Sequence, residues 1–403
     1  MMLNDLTPML EARREEISQW MRQKRSEVPI PIYGSVDVRD AGWKVGVVDA
    51  NHFPAGFNNV AKDTIENLAS LFREHVRRTQ PDCTWVHIYP ESHTRNQGYV
   101  ENITTIQTMI LKAGFRCTVG SPDLNDFSSL HGLSGPLLLH RVERNDNDEL
   151  TVDGVQPDLI LLNNDLTEGQ IPGVHTNTFT PPPHMGWYRR RKSHHYQALK
   201  PYIDEIANML DIDPWHLMPE WFVSEDKCLT KDVCKIRLAG EIDEFLQSLR
   251  EKYVSLGIDR EPTVVIKNDS GTYGLGVMML TSGDQILNLS NRKANKLRYA
   301  KGGADVENYL IQEGIPTALV SPAGDTLEPV VYLVDGEAAS WFYRVNSKKS
   351  DMDNLNSPSA HFETYTPGED PYFAQAHGWH ALVAELSMLA MGAEATMWSA
   401  TPP

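Results

Sequence analysis

The chain has 403 residues, too many for one small core, and its 41% apolar content with 8% aromatics describes a globular protein of two or three domains. A net charge of −17, from 37 basic against 54 acidic residues, argues against a nucleic-acid partner, because binding a phosphate backbone needs a basic footprint. A small anionic ligand needs only a few local cations and stays open.

The first residues, MMLNDLTPMLEARREEISQW, read as a charged amphipathic helix rather than a signal peptide. No run approaches the roughly 18 uncharged apolar residues of a membrane span. A soluble, cytoplasmic protein with no membrane partner is expected. The cysteines Cys83, Cys117, Cys228 and Cys234 lack a CxxC spacing and predict reduced thiols rather than a zinc site.

KVGVVD (44–49) reads as a buried strand, 59–78 as an amphipathic helix, TWVHIYP (84–90) as a strand and 99–114 as a helix closed by Gly114. FRCTVG supplies a third strand, GPLLLHRVE with LTVDG a hairpin, and PDLILLNND (157–165) another buried strand. This alternation predicts an α/β fold with a mainly parallel sheet, whose ligands gather beyond the carboxyl ends of its strands. The loops there, ANHFPAGFNNV, ESHTRNQGY and LTEGQIPG, are rich in polar residues that could converge on one cleft or simply form turns.

A proline-rich segment, 178–197, divides an amino-terminal domain (1–177) from a second (198–403) and carries the run Arg189, Arg190, Arg191, Lys192. That run is either a solvated face or a holder of carboxylate or phosphate. Helical segments follow around 198–211 and 230–256, and then TVVIKNDSGTYGLGVMML (263–280). Its glycine loop fits neither the Walker pattern nor the dinucleotide fingerprint, because VMML after it reads as a strand and not a helix. A strand–loop–strand flap can instead fold over phosphates and offer backbone N–H groups, with Lys267 at its base, although a glycine-tipped hairpin is also an ordinary turn. Beyond a polar helical region (291–308), YLIQEGIP ends a strand in Gln312–Glu313. VVYLVDGEAASWFYRV is a hairpin turning at Asp335–Gly336 whose return strand carries Arg344. A further helical pattern spans 377–395.

In that order, these motifs resemble the ATP-grasp carboxylate–amine ligases, in which ATP lies between two α+β subdomains. More closely, IKNDSGTYGLGVMM, VYLVDGEAASWFYRVN, NLNSPSAHF, YGSVDVRDAGWKVGVVDANHFPAGFNN, ESHTRNQGY, LLNNDLTEG and GWYRRRKSHH resemble the ATP-grasp-type glutamate–cysteine ligases of proteobacteria, over about residues 30 to 365. The resemblance implies an amino-terminal domain like those preceding ATP-grasp units, then an ATP-grasp domain. It also implies the reaction of L-glutamate, L-cysteine and ATP, with Mg2+, to γ-glutamylcysteine through γ-glutamyl phosphate, the first step of glutathione biosynthesis.

Carried over by motif, Lys267 and Lys227 contact ATP phosphates. Gly271, Thr272, Tyr273, Gly274 and Gly276 form the flap, Gln312 and Glu313 the adenine and ribose hinge, and Arg344 stabilises the transferred phosphoryl group. Glu328 and Asn356 stand where relatives present metal or phosphate contacts, but the terminal Glu-x-Asn strand that carries magnesium ligands in many ATP-grasp enzymes is replaced here by a helical pattern. For the glutamate, Arg39 or Arg95 suits the α-carboxylate and Asp37 or Asp49 the ammonium. Asn51, Asn58, Asn59, Asn96 and Asn164 would orient it through their amides. A ligase for other amino acids and a non-catalytic nucleotide-binding regulator are the rival readings. The oligomeric state is open, a homo-oligomer included.

Overall fold

The computed structural model describes residues 2–171, 178–225, 229, 231–270, 276–298, 308–365 and 368–399. Its parallel sheet has four strands in the order Phe179–Thr180, Leu159–Asn163, Trp85–Pro90, Arg116–Val119. Helices Ile65–Thr79 and Gln97–Lys112 pack their apolar faces on it. The expected α/β class and the strands at 84–90, FRCTVG and 157–165 are thus observed.

One expected member of that sheet is elsewhere. Val45–Asn51 is a buried strand but pairs antiparallel with Tyr33–Asp40. Only Ala41–Lys44 connect them, with Gly42 at φ +84°, and a link that short cannot make the crossover a parallel neighbour requires. The two strands extend the long hairpin Thr326–Val334/Glu337–Asn346, and His361–Glu363 completes a five-stranded antiparallel sheet. This sheet joins chain from both sides of the proline-rich segment. The single hairpin expected near 136–152 is two. Val142–Arg144 does pair with Leu150–Val152, but Pro136–Leu138 turns back on Ser129–His131.

A third, antiparallel sheet runs Trp221–Ser224, Tyr309–Glu313, Val264–Asn268, Met278–Leu280, backed by helix Asp232–Ser255. The last two strands are the hairpin read from 263–280. Helix Ala381–Ser399 is apolar on all sides and sits in the core between helix Lys192–Leu210 and the five-stranded sheet, as a helix without a polar face must. Cys83 and Cys117 are free thiols. Cys234 is disulfide-bonded, which corrects the expectation of reduced thiols throughout. Among the described residues no helix is long and apolar enough to cross a membrane.

Candidate active site

A cavity of about 390 Å³ opens where the five-stranded sheet meets the third sheet. Its lining combines apolar Val265, Val277, Met279, Ile315 and Met352 with a charged group of Asp37, Asp49, Lys192, Lys267, Glu328 and Arg344.

Lys267 stands on the strand Val264–Asn268. It donates from Nζ to the Val48 carbonyl at 2.8 Å and to Gln312 Oε1 at 2.6 Å, and Gln312 Nε2 donates in turn to Tyr196 OH at 2.8 Å. Burial pushes its ammonium down to about 8, against the pull of Asp49. The neighbouring Glu313 has its carboxylate committed. It pairs with buried Lys44, accepts from Glu220 N at 3.0 Å and Tyr253 OH at 3.2 Å, and so supports the hinge rather than offering a free acceptor to a ribose. Lys44 also lies 3.8 Å from the Trp215 ring centroid, and burial lowers it to about 8.

Two arginines share Glu328. Arg39 Nε donates to Oε2 at 2.5 Å and Arg344 Nη1 to Oε1 at 2.5 Å, while the same Nη1 reaches Asp37 Oδ2 at 2.9 Å. Arg39 spends its remaining donors on the Asp351 and Asp353 carbonyls, at 2.8 and 2.6 Å, pinning the loop that rims the cavity. Three of its five N–H groups are thus engaged, so a substrate carboxylate at Arg39 would share the guanidinium with Glu328. Glu328 accepts one such bond on each oxygen, so a metal there would share its carboxylate with two guanidinium groups. Burial alone would raise the Glu328 carboxyl, but the two arginines hold it below the usual range.

Asp37 and Asp49 face each other across the antiparallel pair. Burial raises Asp37, with Glu328 and Asp49 adding to it and Arg344 offsetting only part. Asp49 is held low despite burial by Lys192, whose Nζ lies 2.6 Å away, and by Lys267.

The glutamate–cysteine ligase family model matches residues 8–395. The chain belongs to that family. A crystal structure from Methylobacillus flagellatus KT, provisionally assigned as a gamma-glutamylcysteine synthetase, is 32% identical with a TM-score of 0.88, covering 98% of this chain and 96% of that one. A glutathione synthetase-like effector from Globodera pallida (8% identity, TM-score 0.40, 89% and 80% coverage) and D-alanyl-alanine synthetase A from Vibrio cholerae (11%, 0.35, 76% and 81%) are too distant to carry an argument. Comparison with curated proteins gave no match. The chain is accordingly an ATP-dependent carbon–nitrogen ligase of the glutamate–cysteine type.

Other residues singled out in the ligase sequence lie elsewhere. The three polar loops meet one another rather than this cavity: Asn163 Nδ2 donates to the Pro54 carbonyl at 2.9 Å and Asp165 N to Glu91 Oε1 at 2.7 Å. Arg95 and Asn96 border a separate open depression with His93 and His131, where Asn96 caps helix Gln97–Lys112 by accepting from Tyr99 N at 3.2 Å. Asn164 donates to the Pro90 carbonyl at 3.2 Å and accepts from Leu166 N at 2.9 Å, a turn role. Asn58 and Asn59 bond each other at 3.1 Å in the short turn Phe57–Asn59, and Asn51 ends its strand opposite Ser35, outside the cavity lining. Asn356 is exposed at the cavity rim. Gly276 takes φ +70°, whereas Lys227, Gly271, Thr272, Tyr273 and Gly274 lie outside the described residues.

The basic run divides its labour. Arg190 is buried against Glu394, and Lys192 reaches the cavity. Sequence reasoning missed Asp269, Lys349, Asp353 and Asn354. The signal for Asp269 was present in KNDSG. Its carboxylate accepts from Ser193 N and Ser193 Oγ, both at 2.7 Å, and its carbonyl from Lys192 N at 2.8 Å. The Asn–Asp pair thus ties the root of the glycine loop to the first turn of helix Lys192–Leu210, and Asn268 Oδ1 holds Ser270 N at 2.9 Å.

Proposed function

We propose that this cavity binds ATP with its base against Val265, Met279 and Ile315 and its triphosphate toward Lys267 and Arg344. There the γ-carboxylate of L-glutamate is phosphorylated, and L-cysteine then displaces phosphate to give γ-glutamylcysteine, the first product of glutathione biosynthesis. The observation that carries this reading is one cavity lined both by the apolar Val265, Met279 and Ile315 and by the cations Lys192, Lys267 and Arg344. Such cations act by neutralising charge that develops on the transferred phosphoryl group. An ATP-grasp arrangement, with the glycine loop closing over the phosphates, follows from the sequence motifs.

Magnesium would supply further neutralisation of the phosphates. Among the described residues no group of three or more His, Cys, Asp or Glu side chains is placed to hold a metal. That fits an ion bound mainly through the nucleotide with one or two protein oxygens, the usual magnesium pattern. Asp353 and Asn356 on the cavity lining carry oxygens for it. We further read the enzyme as cytoplasmic, without a nucleic-acid partner, and a homo-oligomer remains compatible with it.

The test is ADP release with ATP and magnesium while glutamate and cysteine are added singly and together, with oxygen-18 in the γ-carboxylate. Label should pass into phosphate, and turnover should need both amino acids. Label transfer driven equally well by aspartate would mean a ligase for another acid, and none with any acid would leave only a nucleotide-binding protein.

A further inference from the structure

We propose that Asp37 is the base that takes a proton from the cysteine ammonium, freeing the amine to attack the γ-glutamyl carbonyl; this rests on the acyl-phosphate reading above. The Asp37 carboxylate lies in the charged group of the cavity lining, with Oδ2 held by Arg344 Nη1 at 2.9 Å and Oδ1 without a donor among the described residues. One oxygen is therefore fixed and the other is open to a ligand.

The charges facing it come from every neighbouring strand. Arg344 and Glu328 project from the long hairpin, Asp49 from the adjoining strand with Lys192 behind it, and Arg39 stands two residues along its own strand. Like charges directly opposed on paired strands weaken a sheet, so each carboxylate here needs a cation. Asp49 has Lys192, and Glu328 has both arginines. Asp37 shares Arg344 with Glu328, with the Lys267 ammonium also acting on it, and it is the one of the three whose proton affinity rises above its ordinary value. A carboxylate so placed accepts a proton more readily than its neighbours do.

A second observation locates the leaving group. Arg344 lines the cavity, and among the described residues only its Nη1 is bonded, Nε being buried without a partner. The guanidinium that holds Asp37 through Nη1 thus keeps a donor for the phosphate beside it. In the step, one N–H proton of the ammonium passes to Asp37 and the nitrogen lone pair forms the C–N bond. The carbon–oxygen bond to phosphate then breaks, and the second proton leaves with phosphate as its monohydrogen dianion.

The experiment uses hydroxylamine, a nucleophile already neutral at pH 7, as an alternative to cysteine. The parent enzyme with ATP, magnesium and glutamate should form γ-glutamyl hydroxamate. Asp37→Asn should lose cysteine ligation by about a hundredfold or more, while its loss of hydroxamate formation is at least tenfold smaller. Asp37→Glu, which restores a carboxylate, should recover part of the cysteine rate, and thermal melting of both variants checks the fold. Parallel loss of both products in Asp37→Asn would assign Asp37 to holding Arg344 and overturn the base. A parent enzyme that forms no hydroxamate would remove the acyl phosphate itself, and the proposal with it.

Discussion

Lys267 shows how burial tunes one group. Its ammonium is charged below about 8 and neutral above it, so a phosphate site built on it weakens as pH rises through that value. The KM for ATP should therefore climb between about pH 7 and 9, and Lys267→Arg, charged throughout, should flatten the climb. Lys267→Ala should lower kcat/KM about a hundredfold, the scale of losing one electrostatic contact in a transition state. A parent KM for ATP that stays level across that range would take Lys267 out of the phosphate contact. Stability runs the other way. The ordinary lysine value is 10.5, so from about 8 up to 10.5 the unfolded chain keeps a proton the folded chain has released, and the folded state gains from this group as pH rises.

Asp269 ties the helix Lys192–Leu210 to the hairpin carrying Lys267. Asp269 satisfies the otherwise orphaned N–H of Ser193 in the first helical turn, and its carbonyl fixes Lys192, whose ammonium reaches Asp49 in the cavity. Asp269→Ala should cost about 1–2 kcal/mol in urea unfolding, the usual loss for a removed cap, and should lower kcat/KM by loosening the helical turn that carries Lys192. Asp269→Asn keeps an acceptor and should lose distinctly less of both. Equal losses in the two variants would mean that charge rather than capping matters there. The long hairpin shows the same tie between local chemistry and position. Asp335 and Gly336 turn it at φ +55° and +80°, the pair of positive angles that a tight hairpin turn demands. The turn brings Arg344 opposite Glu328.

The three layers are locked together by one buried network. Arg190 Nε donates to Glu394 Oε2 at 3.0 Å and Nη1 to the Ala50 carbonyl at 2.5 Å; His195 Nδ1 lies 2.5 Å from Glu394 Oε1 and Ser387 Oγ 2.9 Å from His195 Nε2. Helix Ala381–Ser399, helix Lys192–Leu210 and the strand bearing Asp49 are therefore one unit. Burial would raise the Glu394 carboxyl, but Arg190 and His195 hold it far below its ordinary 4.5. The stability it contributes is complete above that ordinary value and is lost progressively as pH falls below it. Glu394→Gln leaves Arg190 buried without its counter-charge and should cost about 3–5 kcal/mol at pH 7. It should also flatten the fall in stability between about pH 5 and 3. Unfolding curves at several pH values check both, and an unchanged acid slope would deny the network that role.

The sequence by itself determined the elements and the family. Periodicity marked the strands of the parallel sheet, Asp335–Gly336 the hairpin, and the long motifs in order the glutamate–cysteine ligases, because each of these depends on residues close together in the chain. Tertiary structure alone decided strand partners and charge partners. Val45–Asn51 left the parallel sheet for an antiparallel neighbour, and the three polar loops gathered together away from the cavity that holds Lys267. Arg39 met its charge partner Glu328 from 289 residues away, and two loop carbonyls took further donors. Glu313 looked like a free acceptor until Lys44 met it from the other side of the cavity wall. A residue type states what a side chain can bind. Whether that capacity is already spent depends on distant groups brought within a few ångströms, where low dielectric makes pairing decisive.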